Sequence, residues 1–376
     1  MMATENFEIW KDYSNALRLY EKIQNLYDEY KKNKINDNSN SSNSNVNKEI
    51  SSKCGLIKNV ETKKHISLKN HYMIKPSMYN YNVINYYKDD CMLKTKIMEL
   101  SKDIIDAINQ IYDTFRLCND NVFLSFNGGK DAVVVLHLFR CAYAKYIKDT
   151  KGKIKKPNLC YFKDHTNEFP EVYQFLNECV YIYDFNIHII KGTWKEGINN
   201  FINELQQTYK NDSKLCFNNT SVLTTPSTTT STCNSNTSNT NICTGNTCTG
   251  NICTDNTFTN NTLTITFING TRYVDNFDSK MQTLNISSKG LLPYLYANPI
   301  YYWTYGAVWT FILYFKFDYC ILYDHGYSSI GTINDTIKNE FLKCNDCYLP
   351  AYFLKNWDYE RHNRVFPPQK KKKAIN

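Results

Sequence analysis

The chain contains no run of about 18 apolar residues, so it offers no candidate for a membrane-spanning helix. It opens Met1-Met2-Ala3-Thr4-Glu5 with no apolar signal core. Without a secretory context its 14 cysteines read as mostly free thiols in a reducing compartment, taken as the cytoplasm. Two nucleotide signatures are missing as well. There is no G-x-x-x-x-G-K followed by Ser or Thr, the loop that places a hydroxyl on magnesium, and no G-x-G-x-x-G dinucleotide fingerprint. Histidine is absent around Cys243, Cys248 and Cys253, which recur among near-repeats of Thr-Gly-Asn-x-Cys. That spacing therefore reads as a degenerate low-complexity repeat rather than a metal site.

What is present is 376 residues with 42% hydrophobic content, 30 tyrosines and a formal net charge of +8. The length admits two domains, and the apolar and tyrosine content gives the ordered parts a sizeable core to bury. The positive balance suits an anionic ligand such as a nucleotide, and composition alone does not separate that from RNA. The run Lys370 to Lys373 reads as a solvated tail.

The richest stretch is Ser125-Phe126-Asn127-Gly128-Gly129-Lys130-Asp131. Val122-Phe123-Leu124 before it has the character of a buried strand, and Ala132 to Arg140 after it that of a buried helix. A glycine pair between strand and helix lets the backbone turn sharply and bring N–H groups up to an anion at the helix's positive end. Lys130 adds a full charge, so the stretch predicts a phosphate-binding loop.

Around this loop the periodicity predicts an α/β fold. Residues 6 to 31 carry apolar positions at helical spacing (Ala16, Leu19, Tyr20, Ile23, Leu26, Tyr27, Tyr30), an amphipathic helix able to dock on the body. We take 1–33 as this N-terminal helix, 34–60 as an Asn/Ser/Lys-rich linker with little to bury, and 61–91 as poorly defined. From Met92 to Phe115 a stripe of Ile97, Leu100, Ile104, Ile108 and Ile111 predicts a second helix. Strands are expected at Asn158 to Phe162 and Val180 to Ile190, with a helix between them near Phe169 to Leu176. Alternating strand and helix implies a mostly parallel twisted sheet with helices on both faces, plus a C-terminal helical and loop extension. Residues 211–262 break the pattern as a disordered Ser/Thr/Asn-rich insertion. Folding resumes at Leu263 to Ile268, and 366–376 form a basic tail.

The loop's wording, S-x-N-G-G-K-D, resembles the pyrophosphate loop of ATP pyrophosphatases, which open ATP between its α and β phosphates. Further blocks narrow this: Gly270-Thr271-Arg272-Tyr273-Val274-Asp275, Asn298 to Trp303, Tyr319-Cys320-Ile321-Leu322-Tyr323-Asp324-His325-Gly326-Tyr327-Ser328-Ser329-Ile330-Gly331, Pro350-Ala351-Tyr352, and Glu360-Arg361-His362-Asn363-Arg364. Their order and spacing resemble the eukaryotic FAD synthetase (FMN adenylyltransferase) family over residues 92–365, within the phosphoadenylyl sulfate reductase-like superfamily and its adenine nucleotide alpha hydrolase-like fold.

The resemblance implies that FMN and MgATP are converted to FAD and pyrophosphate by direct in-line attack, with small-molecule substrates, no nucleic acid and no membrane. It implies that Ser125, Phe126, Gly128, Gly129 and Arg272 bind ATP, the Gly128 and Gly129 amides with Lys130 taking the β and γ phosphates. Asn127 would donate to an α-phosphate oxygen, and Asp131 would orient that network or act on Mg2+ indirectly, through the ATP phosphates. Asp275 and Trp303 would line the flavin, although Trp303 also reads as a core residue. Arg361 and Arg364, three apart, would face the FMN phosphate from one helical turn, or else form a structural surface pair. Where the family shows an Asp, a Trp and an Arg holding the flavin, this chain has Ser288, Leu291 and Tyr296, which implies a flavin pocket built differently.

Other functions remain open at this level. A sulfonucleotide reductase on the same fold needs a cysteine near the C-terminus, and Cys344 and Cys347 form a C-x-x-C in a hydrophilic segment. A tRNA-thiolating enzyme would fit the basic charge but needs an RNA-binding domain. An inactive flavin- or nucleotide-binding protein is the third alternative, opposed by the intact Asn127, Lys130 and Asp131.

Overall fold

The computed structural model describes residues 9–40, 90–119, 121–162, 167–218, 264–275 and 281–365. The remainder of the linker, most of 61–91, the insertion beyond Asn218 and the basic tail lie outside the described residues.

A six-stranded sheet organises the molecule. Its strands are β1 (Val122–Ser125), β2 (Asn158–Phe162), β3 (Asn186–Ile190), β4 (Thr266–Ile268), β5 (Leu284–Ile286) and β6 (Leu295–Ala297), in the order β3-β2-β1-β4-β6-β5. All neighbours are parallel except β5, which pairs antiparallel with β6 at the edge. The mostly parallel sheet follows from the alternation of strand and helix in the first half of the chain.

Side-chain alternation along the strands divides the core in two. Val122 and Leu124 face a large cluster with Ile108, Val134, Phe139 and Trp309, whereas Phe123 faces a smaller one with Ile198, Phe201 and Phe267. Helices α1 (Tyr13–Asn40), α2 (Asp90–Cys118), α3 (Lys130–Thr150), α4 (Pro170–Tyr183) and α6 (Tyr305–Phe315) contribute to the first cluster, and α5 (Trp194–Asn218) covers the second. Both faces are therefore covered, as a parallel sheet requires.

Helix α3 is buried almost all round, from Ala132 to Ala144, because it fills the centre of the larger layer. Helix α2 shows the expected stripe, with Ile97, Ile104, Ile108 and Ile111 inaccessible. Helix α1 docks through Ala16, Ile23 and Leu26 against α2 and α3. Its entry is pinned by Trp10, whose Nε1 donates to the Tyr183 carbonyl at 2.9 Å, and by a buried Asp12–Arg140 ion pair at 2.5 Å.

Several boundaries differ from expectation. Helix α1 continues to Asn40, into the segment assigned to the linker, and α5 runs to Asn218, past the start assigned to the insertion. Val180 to Tyr183 belong to α4 rather than to a strand, since Asp184 in the left-handed region ends the helix and β3 begins only at Asn186. After α6 the chain forms short 3-10 turns and a hairpin of β7 (Lys343–Cys344) and β8 (Cys347–Tyr348).

Candidate active site

From β1 the chain runs outward through β2 to β3, then returns to β4 on the other side of β1. Loops leaving β1 and β4 at their C-terminal ends therefore diverge and open a crevice, the place where parallel sheets of this kind hold ligands. A cavity of about 470 Å³ lies there. Asn127, Gly129, Lys130 and Asp131 border it after β1, Gly270, Thr271 and Asp275 after β4, and Glu360, Arg361 and Arg364 from the C-terminal segment.

Two glycines set the loop geometry. Gly128 has φ of +72°, and a Cβ there would lie 2.9 Å from Val172 Cγ1. Gly270 has no such dihedral, but a Cβ would come within 2.9 Å of the Asp131 carbonyl carbon and 3.0 Å of the Ala132 nitrogen. The β4 loop thus passes directly over the first turn of α3. Asn127 Oδ1 accepts the Gly129 N–H at 3.0 Å, and the Tyr323 hydroxyl accepts the Lys130 N–H at 2.8 Å. Asn127 keeps its amide nitrogen as a donor.

The charges beside the loop form one connected network. Lys130, 2% exposed, holds Asp131 Oδ2 at 3.0 Å and Glu360 Oε1 in a short contact. Arg272, fully buried, reaches Glu360 Oε1 with Nη2 at 2.5 Å, and its Nε lies 2.8 Å from Asp131 Oδ1 with an angle too bent for a hydrogen bond. Asp275 accepts from the Arg272 backbone N–H at 3.1 Å and pairs with Arg361 Nη1 at 3.0 Å. Three cations thus meet three carboxylates.

Burial opposes ionisation of Lys130, yet Asp131 and Glu360 outweigh it and raise its pKa above the ordinary lysine value. Burial likewise opposes the Asp131 carboxylate, and Arg272 with Lys130 reverses this and lowers its pKa. Burial and then the Asp131 charge hold the Tyr323 hydroxyl well above the usual phenol range, so it stays protonated.

The cavity brings together Ser125, Asn127, Gly129, Lys130, Asp131, Asp275, Arg361 and Arg364. Lys130 is not a bare charge at the loop, because Asp131 and Glu360 already compensate its ammonium. Phe126 is buried, and its N–H bonds the Cys160 carbonyl at 3.0 Å, so it anchors the loop's base. Arg272 lies behind the lining, holding carboxylates. Trp303 does not border the cavity; it packs in the core beside Phe311, in line with the core reading of that residue. Arg361 and Arg364 do not share a helical turn: the segment is a tight turn in which Arg364 bridges to Thr336 and pairs with Asp335 at 3.1 Å. Both nevertheless reach the cavity. Ser288, Leu291 and Tyr296 line it as well.

Sequence reasoning missed Glu360 and Tyr323 as site residues, although both stand inside the motif blocks. Their partners lie 230 and 193 residues away. Gly270 carried a signal, a glycine at the end of a strand, that only the close approach to α3 explains. None of the described cysteines borders the cavity, and no group of three or more His, Cys, Asp or Glu suited to a metal occurs among the described residues.

A mostly parallel α/β sheet with a glycine-bearing loop after its first strand and a charged crevice at its switch point has the arrangement in which doubly wound sheets hold their ligands. Residues 121–338 match the phosphoadenosine phosphosulfate reductase domain, and the chain belongs to that family. Within it, the chain is similar to a probable FAD synthase of Schizosaccharomyces pombe, 26% identical over 271 residues, covering 71% of this chain and 78% of that one. It is also similar to a probable FAD synthase of Caenorhabditis briggsae, 25% identical over 273 residues, covering 71% of this chain and 40% of that one. Among solved structures, Candida glabrata FMN adenylyltransferase in complex with FMN and the ATP analogue AMPCPP superposes with a TM-score of 0.51 at 16% identity, covering 76% of this chain and 98% of that one. That likeness establishes the shared fold.

Proposed function

We propose that this chain is an FMN adenylyltransferase that transfers the AMP group of MgATP to the phosphate of FMN. The observation that carries this reading is a single cavity joining the N-G-G-K-D loop to Arg361 and Arg364. The loop offers the ATP phosphates an anion site, and the two arginines offer a second phosphate one in the same cavity. The names of the similar proteins support the same reaction.

In the proposed reaction an ionised oxygen of the FMN phosphate attacks the α-phosphorus of ATP. One P–O bond forms, the bond from the α-phosphorus to the bridging oxygen breaks, and pyrophosphate leaves with the electron pair. No protein nucleophile and no proton transfer are required, because the second phosphate ionisation lies near pH ~6. The protein's tasks are positioning and charge neutralisation. Asn127 donates to an α-phosphate oxygen, and the first turn of α3 turns its positive end to the leaving pyrophosphate. Arg361 and Arg364 exchange Asp275 and Asp335 for the FMN phosphate.

Magnesium enters with ATP as part of the substrate. Asp131, Asp275 and Glu360 are each matched by a cation, so Asp131 acts on the metal only through the phosphates. We place the protein in the cytoplasm, supported by the unpaired buried thiols of Cys118, Cys141, Cys160, Cys179 and Cys320. No helix among the described residues is long and apolar enough to cross a membrane.

The test is chromatography of the purified full chain incubated with FMN, ATP and magnesium. FAD and pyrophosphate should appear in equal amounts. Absence of FAD when FMN and ATP both remain intact would defeat the reading.

A further inference from the structure

Away from the charged network the cavity is bordered by an aromatic side chain that no step above uses. Trp194, the first residue of α5, is 52% exposed, whereas Trp10, Trp303 and Trp309 are buried and Trp357, also exposed, does not border this cavity. Its indole packs on Phe162 at the end of β2, with ring centroids 4.2 Å apart, and lines the cavity. A large aromatic supported on one side and open on the other presents a ready stacking surface.

The platform is rigidly based. Thr193 and Glu196 close the first turn of α5 reciprocally: the Glu196 N–H donates to Thr193 Oγ1 at 3.4 Å, and that hydroxyl donates to Glu196 Oε2 at 2.8 Å. One turn on, Asn199 Oδ1 accepts the Leu292 N–H at 2.9 Å, which ties the loop carrying Leu291 to the same helix. Leu291 offers the cavity only an aliphatic surface.

We propose that Trp194 supplies the stacking face for the isoalloxazine ring of FMN, an inference that rests on the adenylyltransferase reading. The indole reaches the cavity from α5 with its ring half exposed; of the other rings on that side, Tyr294 is 7% exposed and packed edge-on against Phe267, and Tyr296 is partly buried. The three fused rings of a flavin present a broader planar face to it than adenine does. Adenine is the competing occupant, and the kinetics distinguish the two.

The experiment uses the full chain with Trp194→Ala and Trp194→Phe, assayed for FAD formation while FMN and ATP are varied separately. Removing the stacking face should raise the KM for FMN about tenfold in Trp194→Ala and leave the KM for ATP within about twofold. Trp194→Phe should keep most of the affinity. The second readout is FMN emission on titration with protein, without ATP. Wild type should quench it by electron donation from the indole, and both variants should quench less, including the Phe variant that still binds. An unchanged KM for FMN in Trp194→Ala overturns the proposal, and so does a rise confined to the KM for ATP, which would assign the ring to adenine. Failure of the wild-type chain to form FAD is seen before any substitution is made and overturns the underlying reading instead.

Discussion

Replacing Glu360 by Gln keeps the shape of the side chain and removes the charge that Lys130 and Arg272 share. All three side chains are at least nine-tenths buried, and Glu360 Oε1 contacts both cations. The substitution leaves two buried cations sharing Asp131, with Asp275 Oδ2 at 3.8 Å from Arg272 Nε as the further carboxylate. Breaking a buried pair from one side costs about 3–5 kcal/mol, most of it the uncompensated charge. At roughly 2–4 °C per kcal/mol for a large domain, the melting temperature should fall on the order of 10 °C. Lys130→Met should cost less, because Glu360 keeps Arg272. The two changes together should cost no more than Glu360→Gln alone, since one cation leaves with one anion. Urea denaturation of the four proteins measures this as a coupling of about 2 kcal/mol. Effects that simply add, to within about 0.5 kcal/mol, would refute the shared network.

Three further outcomes are expected. Asp131 has a lowered pKa in the folded protein, so its contribution is complete above the unfolded value near ~3.9 and is lost as pH falls through the folded value. The stability gap between wild type and Asp131→Asn should be flat from about pH 5 to 7 and shrink below about pH 4; a gap that widens on acidification would contradict the sign. Gly270→Ala should cost about 1–3 kcal/mol, because its Cβ meets backbone that cannot swing aside, and a melting temperature equal to wild type would show that the β4 loop is free to move. Arg364→Ala should raise the KM for FMN or lower turnover at least about tenfold, as loss of a charged hydrogen bond requires, and wild-type kinetics would make the arginines a surface pair.

What the sequence made legible was local. The strand before Ser125, the buried helix after Gly129 and the stripe from Ile97 to Phe115 each announce themselves within a window of a few turns. The parallel sheet follows from their alternation. The charged network was not legible, because Lys130 and Glu360 are joined only by the way the chain closes on itself. Tryptophans show the same limit: Trp303 sits in a motif block and lies in the core, while Trp194 stands in a hydrophilic stretch outside every motif and faces the cavity. Arg361 and Arg364 reach one cavity without the expected helix, since a tight turn and a bridge to Thr336 position them instead.

The bond between Lys130 and Glu360 spans 230 residues, and this sets a timetable for synthesis. A ribosome adding ~5–20 residues per second needs roughly 10–50 s to travel from one to the other. Throughout that interval β1 and α3 have emerged, and Lys130 has no Glu360 to meet. The central layer must either wait unpacked or bury an ammonium against Asp131 alone. The segment around Glu360 therefore closes late over β1 and α3, and a chain interrupted before Glu360 would carry the whole six-stranded sheet with its charge clasp missing.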